Sequence, residues 1–216
     1  MQKIYLVSGL GADERVFVNI KIPHSETIHL RWEIPLPNES ISNYAKRLIN
    51  QIDLTHNVIL MGVSFGGIIA QEIAKLIEVE QVIIVSSIKS EKEFSWQFRL
   101  LNWCKVYRFI PSNILIWSNL LTADYYFGIR TKTESALLKC IIRDTDIVFM
   151  QWAINAIITW KNDSQHHQLY HIHGTNDKIF PSKNLKRYIP IEDGGHFMIY
   201  NKAEQINHIL AQILSI

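Results

Sequence analysis

The chain has 216 residues, 48% of them apolar, and a formal net charge of +2. That length suits one well-packed core and is too short for two typical domains. The small charge argues against nucleic acid or a charged membrane surface as a partner, and no apolar run is long enough to span a bilayer.

In chain order, Met1 is followed almost at once by Lys3-Ile4-Tyr5-Leu6-Val7. No charged-then-apolar leader intervenes, so a cytoplasmic location is expected. The first strand is expected at Ile4–Ser8, and a glycine loop, Ser8-Gly9-Leu10-Gly11-Ala12-Asp13, follows it. Asp13 is a candidate cap for Val16 or a neighbouring amide. A second strand is expected at Thr27–Arg31, then a loop marked by Pro35 and Pro37, then a helix over Ser40–Ile52. Asn57–Val63 reads as a strand buried on both faces, as in a parallel sheet. A small-residue helix over Phe65–Ile77 and a strand at Gln81–Ser86 come next. Further strands are expected at Leu169–His173 and Tyr188–Ile191, with helices at Ser182–Lys186 and Ala203–Leu214. Strands alternating with helices in this way predict an α/β architecture.

Between about Lys89 and Asn162 the alternation stops, and helical, aromatic-rich segments replace it. Five of the six tryptophans lie there: Trp96, Trp103, Trp117, Trp152 and Trp160. Aromatics at helical spacing are mostly core, and a minority can line an apolar pocket. The stretch is basic in places (Lys89, Lys92, Arg99, Lys105, Arg108), which reads first as a solvated face. The sharper reading is a landing site for an acidic group, such as an acyl carrier protein or a carboxylate-bearing acyl chain. The two cysteines, Cys104 and Cys140, form no C-x-x-C pair and are expected as free thiols.

Chemistry concentrates in Gly62-Val63-Ser64-Phe65-Gly66, a G-x-S-x-G run between an apolar strand and a helix, which reads as a nucleophile elbow. A serine hydroxyl needs a base, a carboxylate to orient that base, and donors for the developing oxyanion. The candidate base is His196, in Asp193-Gly194-Gly195-His196-Phe197, where two glycines let the loop bend over the sheet end. The candidate acid is Asp177, in the turn Gly174-Thr175-Asn176-Asp177, with Asp193, Asp144 and Asp146 as weaker rivals. The candidate oxyanion donors are the backbone amides of Phe65 and Leu10, with Gly9 next. His166, His167, His171 and His173 form a histidine-rich run, but no third metal ligand stands at a convincing spacing. The run reads better as the partly exposed start of a strand. No Walker loop, G-x-G-x-x-G or H-E-x-x-H is present, so no cofactor and no metal are expected.

These residues resemble the α/β-hydrolase superfamily. The order Ser64, Asp177, His196, the elbow, Gly174–Asp177, Gly194-Gly195-His196 and the glycine loop after the first strand all fall where that family has them. The resemblance covers nearly the whole chain and extends to compact bacterial-type esterases that start directly at the oxyanion-loop strand. It implies a six-stranded parallel sheet flanked by helices, without the two strands that usually precede the oxyanion loop. It also implies a core of residues 1–88 and 163–216 with a helical cap at 89–162. Ser8-Gly9 stands where many members have His-Gly, which leaves the side-chain support of the oxyanion loop to be found.

The resemblance further implies hydrolysis of a carboxylic ester through an acyl-enzyme, with Ser64 attacking, His196 as base and Asp177 orienting it. The expected substrate is a small-molecule ester or thioester, and the tryptophan-rich segments point to an apolar acyl group or an aromatic leaving group. A thioesterase or acyltransferase, a lactonase, a perhydrolase or a carbon–carbon bond hydrolase remain open on the same fold, as does a ligand receptor. A serine at position 64 argues against the epoxide hydrolase and haloalkane dehalogenase branches, which use aspartate there.

Overall fold

A computed structural model describes residues 2–96 and 122–215. Six strands form one sheet in the order β2-β1-β3-β4-β5-β6: β1 Gln2–Val7, β2 Ser25–His29, β3 Val58–Val63, β4 Gln81–Val85, β5 Leu169–Gly174 and β6 Ile189–Ile191. All neighbouring strands run parallel. After β1 the chain moves outward to β2, then returns to build β3 on the other side of β1. That reversal opens a crevice at the carboxyl ends of β1 and β3, where ligands bind in open α/β sheets.

The side-chain period of two explains both layers. Val58 and Leu60 of β3, with Tyr5, Val7, Val82 and Ile84, face α1 (Ile41–Leu48) and α2 (Phe65–Ala74). Ile59, Met61 and Val63, with Ile4, Leu6, Ile83 and Val85, face the opposite layer. Between β4 and β5 lie α3 (Lys132–Asp144) and α4 (Ile147–Thr159), and no strand occurs there among the described residues. Thr131 caps α3 and Asp146 caps α4 by accepting from backbone amides three residues on. Leu138 and Ile141 of α3 join the second layer; Phe149 and Ala153 of α4 join the first. The C-terminal helix α5 (Ala203–Ile213) seals the second layer with Ile206 and Leu210. The two ends of the β4–β5 connection meet in a buried polar knot. Asn162 Nδ2 donates to the Lys89 carbonyl at 2.7 Å and to Gln71 Oε1 at 3.3 Å, and the Asn162 amide donates to Glu91 at 3.0 Å.

Several expectations shift. β2 begins two residues earlier than its apolar pattern suggested and ends at His29, opposite Leu6. α2 stops at Ala74, where Leu76 bonds back to Ile73 in a tighter turn. Ser182–Lys186 is only a 3-10 turn, Ser182–Asn184, because Leu185 is extended and leads the chain toward β6. Asp13 caps as expected, the neighbouring amide being that of Arg15. Lys89 is buried, its ammonium held by the Lys186 and Arg187 carbonyls, so it adds nothing to a basic surface. Arg99, Lys105, Arg108, Trp103, Trp117 and Cys104 lie outside the described residues. Cys140 is exposed and unpaired by any disulfide. Among the described residues no helix is long and apolar enough to cross a membrane.

Half of the histidine run departs from expectation: His166 is half-buried and His167 exposed just before β5, whereas His171 and His173 are buried. β5 is an interior strand, so its third and fifth residues, His171 and His173, are only 2% and 0% exposed. Among the described residues no group of three metal-ligating side chains gathers around them. Burial pushes His171 well below the ordinary imidazole range, and His173 and Lys89 add to the shift. Burial also lowers His173, against the opposing pull of Asp177. In the unfolded chain each ring takes up a proton near pH ~6.5. Below that pH the unfolded state binds more protons, so stability is full above about pH 6.5 and falls as the medium acidifies. Denaturant midpoints at pH 7.5 and 5.5 should therefore differ, the acid value being lower, and His171→Phe should narrow the gap. Equal midpoints in the parent protein would contradict this.

Candidate active site

Ser64 sits between the last residue of β3 and the first of α2, with φ 53° and ψ −119°. A non-glycine residue rarely adopts such a backbone, and holding it costs about 1–3 kcal/mol. Its neighbours make the turn sterically feasible. A Cβ on Gly62 would lie 2.2 Å from the Gly66 carbonyl oxygen, and one on Gly66 would lie 2.2 Å from the carbonyl oxygens of Val7 and Ser8. Ser87 Oγ donates to the Ser64 carbonyl at 2.7 Å and fixes the turn from β4. The result lifts the Ser64 side chain out of the carboxyl edge of the sheet.

The three side chains singled out by their motifs meet there. His196 Nε2 is 2.9 Å from Ser64 Oγ, and His196 Nδ1 is 2.8 Å from Asp177 Oδ2. A carboxylate facing Nδ1 keeps the proton on that nitrogen, so Nε2 is free to accept from the hydroxyl. Asp177 is 4% exposed and its other oxygen, Oδ1, accepts from the amides of Ile179 at 2.8 Å and Phe180 at 2.9 Å. Burial alone would raise its carboxyl pKa. The charge and hydrogen bond of His196, with His173 and the Phe180 amide, outweigh burial and hold it below the usual range. The rivals are engaged elsewhere: Asp144 pairs with Arg15 at 2.7 Å, Asp146 caps α4, and Asp193 is exposed.

The loops carrying Asp177 and His196 are bonded to each other. The Asn176 amide donates to the Gly194 carbonyl at 2.9 Å, and a Cβ on Gly174 would lie 2.2 Å from that same oxygen. Phe127 supports the ring from the other side. Its carbonyl accepts from the Phe197 amide at 2.9 Å, and its ring stands edge-on to His196 at 5.3 Å. Phe180 contacts the imidazole edge-on at 5.6 Å. The imidazole is thus held between two aromatic rings.

Phe65 is the first residue of α2, a position whose amide has no partner within a helix. Leu10 and Gly9 line the same cavity as Ser64, and a Cβ on Gly9 would lie 3.4 Å from Cβ of Ser64. The loop bearing them is braced at several points. Ser8 Oγ donates to the Ala12 carbonyl at 2.7 Å, and Trp32 Nε1 donates to that carbonyl at 3.0 Å. Thr145 Oγ1 donates to the Gly11 carbonyl at 2.9 Å. Asp13 and Asp144 share Arg15, at 2.6 and 2.7 Å. Ser8 thus gives this loop the side-chain support that its sequence left to be found. Trp32, Phe127 and Thr145 carried no motif in the sequence. They act through contacts made across long chain separations.

A cavity of about 260 Å³ opens over Ser64 and His196. Val63, Leu138, Ile141, Met150, Ile157 and Phe197 form much of its wall, and His196 is the one titratable group among its described lining residues. Of the tryptophans, Trp160 is buried and Trp96 is 68% exposed; Trp152 packs at 5.9 Å from Phe65, behind the site.

Solved structures share this fold over the full length of the chain. An esterase (EaEST) from Exiguobacterium antarcticum has a TM-score of 0.77 at 15% identity, covering 100% of this chain and 92% of that one. A hydrolase from Pseudomonas aeruginosa PA01 has a TM-score of 0.76 at 10% identity, with 100% and 90% covered. A bromoperoxidase from Bacillus anthracis has a TM-score of 0.69 at 18% identity, with 100% and 92% covered. Comparison with curated proteins returns no matching sequence. A family model described as an alpha/beta hydrolase of unknown function (DUF1057) matches residues 4–214. With nearly every residue inside that match, the chain belongs to this alpha/beta hydrolase family.

Proposed function

We propose that the protein is a serine hydrolase that cleaves a small carboxylic ester with an apolar, uncharged acyl group. The observation that carries this reading is the unbroken path from Ser64 Oγ through His196 to Asp177, at 2.9 and 2.8 Å, beneath an apolar cavity. In this reading His196 Nε2 takes the hydroxyl proton as Ser64 Oγ attacks the carbonyl carbon. The amides of Phe65 and Leu10 receive the oxyanion, and Asp177 stabilises the imidazolium. The tetrahedral adduct collapses, His196 returns its proton to the leaving alkoxide, and the acyl group stays on Ser64. Water, deprotonated by His196, then releases the acid and restores the hydroxyl. Residues 89–162 serve as the cap: α3 and α4 supply the cavity wall and, through Thr145, touch the oxyanion loop.

The cavity favours a neutral acyl chain on physical grounds. A carboxylate placed against isoleucine, leucine and phenylalanine loses hydration with no cation to replace it among the described lining residues. A second reading, transfer of the acyl group to hydrogen peroxide instead of water, draws support from the bromoperoxidases among the structural neighbours. It uses the same acyl-enzyme and differs only in the second nucleophile.

Hydrolysis of nitrophenyl esters tests the chemistry. Ser64→Ala should lower kcat by about 10⁴-fold or more, and retained activity would overturn the assignment. An ester ending in a carboxylate should show a kcat/KM at least about tenfold below that of a neutral acyl chain of equal length, a difference of ~1.4 kcal/mol. Equal values would contradict the apolar cavity as the acyl site.

A further inference from the structure

Two buried imidazoles take no part in the proposed chemistry, yet they stand directly behind its acid. His173 Nε2 lies 2.8 Å from the Phe180 carbonyl oxygen and 3.5 Å from Asp177 Oδ2. His173 Nδ1 lies 3.2 Å from His171 Nε2. The ring of Tyr188 flanks both, with centroids at 6.1 and 5.9 Å.

The direction of this chain follows from what each atom can do. A carbonyl oxygen only accepts, so His173 Nε2 carries a proton. A neutral ring then leaves His173 Nδ1 bare, as an acceptor. His171 Nε2 faces that acceptor and satisfies it by donating. With both rings uncharged, the arrangement that satisfies both contacts is His171 Nε2–H to His173 Nδ1 and His173 Nε2–H to the Phe180 carbonyl.

Phe180 links this pair to the acid. Its amide and that of Ile179 occupy Asp177 Oδ1, at 2.9 and 2.8 Å. Those two bonds set the rotation of the carboxylate and turn Oδ2 toward His196. The 177–180 turn is therefore the element that aims the acid, and the His173 N–H ties its last carbonyl to β5.

We propose that His173 is a positioning residue for Asp177, held in its working tautomer by His171. The proposal rests on the hydrolase reading of the site. It assigns His173 no contact with substrate. Its effect falls on kcat rather than on substrate binding, because it acts on the aim of the carboxylate.

Nitrogen-15 NMR of the histidine rings in the parent protein at neutral pH is the first test. Both His171 and His173 should be neutral with the proton on Nε2. A proton on His173 Nδ1, or a doubly protonated His173, would overturn the proposal. Two variants extend it. His173→Gln keeps an N–H near the position of Nε2, and His173→Leu removes it. The Leu variant should lose about ten- to a hundredfold in kcat, with KM changed less than about twofold, and should move the His196 Nδ1–H proton resonance. The Gln variant should recover most of both. Equal losses in the two variants, or an unmoved resonance in the Leu variant, would overturn the proposal. If the Leu variant does not fold, the tautomers and the Gln variant still decide. Fluorophosphonate capture at Ser64 of the parent protein separates the two levels. Failure to label sinks the hydrolase reading, whereas the tautomers report on the His173 arrangement without turnover.

Discussion

The backbone of residue 64 is the constraint on which the rest depends. A serine held at φ 53° is strained, and the strain persists only because its surroundings leave no alternative. The Gly62 and Gly66 backbones approach too closely for any side chain, Ser87 holds the Ser64 carbonyl, and the buried β3 and α2 anchor both ends. Relaxing the turn would separate α2 from β1 and open the core. The placement of the hydroxyl at the cavity is thus maintained by the hydrophobic layers, at a cost that is small beside the burial they provide.

Strand order does the second part of the work. Because β3 returns beside β1, the elbow and the glycine loop emerge side by side. Because β5 and β6 follow β4 on the far side, the loops bearing Asp177 and His196 reach the same edge and bond to each other. Residues more than a hundred positions apart are brought within hydrogen-bonding distance by sheet topology. The described part of the β4–β5 connection reaches both sides of the site. Thr145 and Asp144 grip the glycine loop, while Phe127 backs the imidazole, so one insertion contacts both halves of the site.

What could be read from the sequence follows from the range of the interactions involved. β3 and β4 are buried on both faces, and their continuous apolar runs mark them plainly. Ser64, Asp177 and His196 lie in short glycine-flanked motifs, where local backbone needs leave a local trace. The bracing residues leave none. Trp32 and Thr145 act through single side-chain hydrogen bonds to the carbonyls of Ala12 and Gly11, and nothing near them in sequence announces those partners. His171 and His173 misled for a related reason: a histidine-rich run at the start of a strand suggests partial exposure, and only the neighbours on either side of β5 show that these two are buried. Lys89 likewise looked like surface charge, because the carbonyls that receive its ammonium lie almost a hundred residues away.

The central claim is that Ser64 Oγ, the Phe65 amide and the loop after β1 form one reacting centre. A crystal structure of the protein treated with a small alkyl phosphonate ester tests it most directly. The account predicts a covalent bond from Ser64 Oγ to phosphorus, the phosphonyl oxygen within hydrogen-bonding distance of the Phe65 and Leu10 amides, and the alkyl group in the apolar cavity. An unmodified Ser64, or an adduct whose phosphonyl oxygen points away from both amides, would contradict it.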